Sequence, residues 1–62
     1  MSEQIEFLVI EKLKKDGVDH YQASNGVRLV LNPLGELMVS ISFDQHLIRR
    51  DIDAAAIEYL KK

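Results

Sequence analysis

The 62-residue sequence has no cysteine and no tryptophan, a single proline, and three glycines that stand apart at Gly17, Gly26 and Gly35. Without cysteine, neither a disulfide framework nor a thiolate metal site can staple so short a chain. The dispersed glycines form no phosphate-cradling loop, which argues against Walker and Rossmann nucleotide sites. A preponderance of one charge is also missing. Eight bases against ten acids give a net charge of −2, spread as −1 over residues 1–16, −1 over 17–43 and 0 over 44–62. No segment is a polyanion able to mimic nucleic acid, and none is a basic face suited to a membrane surface. No apolar run approaches a bilayer span and no basic segment leads into an apolar leader, so the expectation is a cytoplasmic protein.

What is present is enough apolar material to fold. Leu, Ile, Val and Phe number twenty-one, about a third of the chain, above the composition that leaves a segment disordered. The length allows one small domain over residues 1–62, which buries only about 60% of its unfolded surface. Self-association is the remaining common source of extra stability.

The period of the apolar residues changes twice. Ser2 to Lys15 reads as a helix: Ser2 is the candidate N-cap, Glu3 and Glu6 favour its start, and Lys12, Lys14 and Lys15 favour its end. Ile5, Leu8, Val9 and Leu13 line one face, and Gly17 is a natural stop. From Val18 to Phe43 the alternation is two-fold, and three strands fit. A two-residue turn at Asn25-Gly26 would set Tyr21 opposite Val30. A three-residue loop, Ser24-Asn25-Gly26, instead sets Tyr21 opposite Leu29 and Ala23 opposite Val27, which keeps one apolar face. Asn32-Pro33-Leu34-Gly35 is the second turn. Helical spacing returns after Asp44, with Ile48, Ile52, Ala55, Ala56, Tyr59 and Leu60 on one face and Asp44 or Asp51 as the cap. Two starts fit: a helix continuous from Gln45, or a loop through Arg50 with the helix from Asp51. Either gives an α+β fold of order αβββα, a three-stranded antiparallel meander with both helices on one face. The expected core is Ile5, Leu8, Val9, Leu13, Tyr21, Leu29, Leu31, Leu37, Val39, Ile41, Ile52, Ala56, Tyr59 and Leu60.

Chemistry is sparse. A Ser-His-Asp set would need His20 or His46 with a serine from Ser2, Ser24, Ser40 or Ser42, and no local elbow supports it. His20 and His46 with Asp19, Asp44 or Asp51 lack the ligand spacing of a metal site. The expectation is a non-enzyme with no catalytic residues, cofactor or metal. The sheet face away from the helices would carry His20, Gln22, Arg28, Val30, Met38, Ser40 and Ser42, in the manner of a solvated antiparallel sheet.

Arg49 and Arg50 lead into Asp51-Ile52-Asp53-Ala54-Ala55-Ala56, and with the αβββα order this resembles the double-stranded RNA-binding domain. The resemblance covers the whole chain as topology and rests on Arg49, Arg50, Ala55 and Ala56. It implies duplex binding through the arginine pair. The family's long first strand-to-strand loop has no counterpart in Ser24-Asn25-Gly26, and Asp51 and Asp53 interrupt its basic cluster, so the resemblance is architectural. The low net charge also works against phosphate binding.

Apolar residues off the main stripes, Phe7 and Ile10 on the first helix and Leu47, Ala54 and Ile57 on the second, need cover from the other helix or from a partner. The expectation is a small accessory or regulatory interaction module, compatible with a phage or mobile-element origin. It would pair with a second copy or another protein through Phe7, Ile10 and Ile57, or through Val30 and Met38 on the sheet.

Overall fold

The computed structural model describes residues 1–41 and 48–62. Helix α1 (Glu3–Asp16) is followed by β1 (His20–Gln22), β2 (Val27–Leu31) and β3 (Leu37–Ile41), and helix α2 (Arg49–Leu60) closes the chain. The three strands form one antiparallel sheet in the order β1-β2-β3, with the helices packed against it in an α+β arrangement. Among the described residues, no helix is long and apolar enough to cross a membrane.

Helix α1 is bounded as its sequence demands. The Ser2 hydroxyl oxygen accepts the Ile5 N–H at 3.1 Å, satisfying a donor that the helix itself cannot. At the other end Gly17 takes the left-handed conformation, φ 71°. Val18 N–H then reaches Leu13 C=O at 3.1 Å and Gly17 N–H reaches Lys14 C=O at 3.2 Å, the paired bonds of a Schellman stop.

Both hairpins turn through three-residue loops of one design. Ala23 N–H donates to Val27 C=O (2.8 Å) and Gly26 N–H to Ala23 C=O (3.2 Å); Asn32 N–H donates to Glu36 C=O (2.9 Å) and Gly35 N–H to Asn32 C=O (2.9 Å). In each the third loop residue is a glycine at positive φ, 91° for Gly26 and 83° for Gly35, a conformation that costs a side-chain-bearing residue. The resulting register pairs Tyr21 with Leu29, and Leu29 with Val39, Val27 with Ile41 and Leu31 with Leu37. All of these residues belong to the core or pack against it.

The core itself is small: Val9, Leu13, Ala23, Val27, Leu29, Ala55, Ala56 and Tyr59 are buried, with Met1, Ile5, Tyr21, Leu31, Leu37, Val39, Ile41 and Leu60 packed around them. Several sequence expectations need correction. Leu8 is not core but 46% exposed, lining the shallow groove that α1 forms with Leu60 of α2. Ile48 is not on the inner stripe of α2 but 47% exposed. It is the N-cap, in extended conformation at φ −105°, ψ 137°. That backbone rules out a helix continuous from Gln45 and also removes Asp51 from the cap role, placing it in the first turn. Ile52 is half-buried, while Ala23, Val27 and Ala55, absent from the expected core, are fully buried. Ser42, Phe43, Asp44, His46 and Leu47 lie outside the described residues.

Candidate functional site

The two helices run side by side in the same direction. The Met1 α-amino group lies 3.2 Å from Asp53 Oδ1 near the start of α2. At the other end the Tyr59 hydroxyl donates to Asp16 Oδ2 at 2.7 Å, and Lys12 Nζ donates to the Lys62 carbonyl at 3.0 Å. Between them a shallow groove of about 410 Å³ is lined by Leu8, Glu11, Lys12, Lys15, Asp16 and Leu60. Ile57 precedes Leu60 by one helical turn and so continues the α2 wall of this groove. It is 41% exposed, and Phe7, beside Leu8 on α1, is 61% exposed.

Among the five sequence-derived interface residues, Phe7 and Ile57 are exposed on the two helices. Ile10, one turn after Phe7 on α1, is half-buried. Val30 and Met38 are directly opposed across β2 and β3, on the sheet face that also carries His20, Gln22, Arg28 and Ser40. Met38 is 55% exposed and Val30 half-buried.

The remaining polar groups hold the fold together. Glu58 accepts the Tyr21 hydroxyl and both the Ser24 N–H (3.1 Å) and hydroxyl, so one carboxylate of α2 clasps the first hairpin. Hydrogen bonds from Ser24 and Tyr21 hold the Glu58 carboxyl below the usual glutamate range, and the same bond to Glu58 pushes the Tyr21 phenol up. Asn25 Nδ2 donates to the Asp51 carbonyl at 2.9 Å, two turns earlier on the same face of α2. The Tyr21 and Tyr59 rings pack at 4.7 Å between centroids. Sequence reasoning missed this clasp, although Asp51 and Glu58, seven apart, mark one helical face bordering Ala55.

His20 Nδ1 lies 3.0 Å from Asp19 Oδ1 and its side chain is 65% exposed. The hydrogen bond from His20 lowers the Asp19 carboxyl below its ordinary value. Among the described residues, no group of three or more His, Asp or Glu side chains is placed to hold a metal ion. Arg49 and Arg50 are both exposed. Arg49 lines a depression of about 380 Å³ with Met1, Ser2 and Asp53, so an acid shares its immediate surroundings. No family model, no curated protein and no solved structure matches this chain.

Proposed function

We propose that this chain is a non-enzymatic interaction module that pairs with a second copy of itself through the outer surface of the helix pair. The observation that carries the reading is the exposure of Phe7, Leu8 and Ile57, three large apolar side chains on the two helices of a domain with few large buried ones. Leu13, Leu29, Val9 and Val27 are its largest fully buried side chains, and covering the outer surface adds apolar burial that so short a chain lacks. The groove edge supports a second copy as the occupant. It carries Glu11 and Asp16 with Lys12 and Lys15, so a two-fold contact offers both signs of charge to both signs.

Light scattering on a size-exclusion column tests this directly. The expected result is a dimer at high micromolar concentration that becomes monomeric on Phe7→Glu or Ile57→Glu substitution. A monomer throughout the concentration range refutes self-association, and a dimer indifferent to both substitutions transfers the interface to Val30 and Met38. The competing reading, duplex nucleic-acid binding through Arg49 and Arg50, is supported by their exposure at the start of α2 and weakened by Asp51 and Asp53 in the same turns. Anisotropy titration separates the two. Tight, salt-sensitive binding lost in the Arg49→Ala, Arg50→Ala double variant would establish the nucleic-acid function in place of the one proposed.

A further inference from the structure

We propose that Asn25-Gly26 is a deamidation site that the fold holds closed, and that its conversion releases the loop of the first hairpin from the first turn of α2. Glycine leaves the following amide nitrogen unhindered by any side chain, so Gly26 N can attack Asn25 Cγ. A new N–Cγ bond forms as Gly26 N gives up its proton, and Asn25 Nδ2 leaves as ammonia. Water then opens the resulting succinimide at either carbonyl, leaving aspartate or isoaspartate with no net oxidation or reduction.

The structure opposes the first step at three points. Gly26 N–H is engaged with Ala23 C=O at 3.2 Å. Asn25 Oδ1 accepts the Val27 N–H at 3.1 Å, which fixes the side-chain torsion, and Asn25 Nδ2 donates to Asp51 C=O at 2.9 Å. Attack requires at least the first and the last of these to break. The product cannot restore the last, because a carboxylate has no hydrogen to give and would meet the Asp51 carbonyl oxygen acceptor to acceptor. Proximity to the positive end of the α2 dipole does not compensate at contact distance, where the atom encountered is that oxygen.

The test follows Asn25 by peptide mapping and mass spectrometry on the intact chain at mildly alkaline pH, folded in buffer and unfolded in urea. Conversion in the folded chain is expected to be slower by about tenfold or more, as the loss of two hydrogen bonds before attack implies. Equal rates in the two conditions overturn the protection. Gly26→Ala is expected to slow conversion in urea, and an unchanged rate there overturns the succinimide route. Asn25→Asp is expected to lower the urea midpoint and to speed amide exchange in the first turn of α2; a wild-type midpoint and exchange pattern overturn the release of that turn.

Discussion

Glu58 receives the Tyr21 hydroxyl and two donors of Ser24, and the set is strongest with both its oxygens free to accept, that is, ionised. With its folded-state value held below the ordinary 4.5, the stabilisation is fully present above the unfolded value and is lost as pH falls through the folded one. Acid-unfolding curves should therefore show wild type more stable than Glu58→Gln near neutrality, the two converging in acid. Tyr59 behaves in the opposite sense. Burial, and next the hydrogen bond to Asp16, push its phenol up to about 12. Its neutral form is the one the fold favours, so this contribution is complete below the ordinary value of 10.0 and disappears as pH rises from there through about 12. In a Tyr21→Phe background, ultraviolet titration should find Tyr59 almost wholly protonated at the pH where a free tyrosine is half ionised, and Tyr59→Phe should cost roughly 0.5 to 1.5 kcal/mol near neutrality through the lost hydrogen bond.

The helices differ in how their ends are secured, which makes them respond differently to substitution. In α1 the Ser2 cap and the left-handed Gly17 leave few orphan groups, and Ser2→Ala should cost about 0.5 to 2 kcal/mol in urea denaturation. Gly17→Ala meets open space, so its expected cost of about 1 kcal/mol comes from backbone strain at positive φ alone. The cap position of α2 is occupied by Ile48, which has no side-chain oxygen to offer. Ile48→Ser should thus stabilise the protein, by about 0.5 to 1 kcal/mol, and a loss of stability would show that Ile48 makes apolar contacts worth more than a cap. These features were legible in the sequence for α1, where Ser2 and Gly17 flank the apolar stripe. They were not for α2, where Asp51 offered itself as a cap and instead lies in the first turn. The hairpins were fully legible, because moving the register by one residue would turn Tyr21 and Leu29 to opposite faces.

Leu8 and Leu29 separate a packed position from one that merely fits the helical pattern. Leu29→Ala, at a fully buried site, should cost about 2 to 5 kcal/mol, a large share of what such a domain possesses. Leu8→Ala should cost about 0.5 kcal/mol or less on the isolated chain, and a comparable loss at both positions would contradict the placement of α2 against α1. By itself, the sequence determined the order αβββα, the strand register, both glycine-closed loops and the inner faces of the sheet, since each follows from local periodicity and backbone stereochemistry. The packing of α2 along one flank of α1 was decided only in three dimensions. A helical wheel places Leu8 and Ile10 symmetrically about Val9, and nothing local breaks that symmetry. With α2 in place, Leu8 stays nearly half exposed in the groove beside Leu60, Ala23 and Ala55 are core, and Glu58 comes within reach of Tyr21 and Ser24, thirty-seven and thirty-four residues away along the chain.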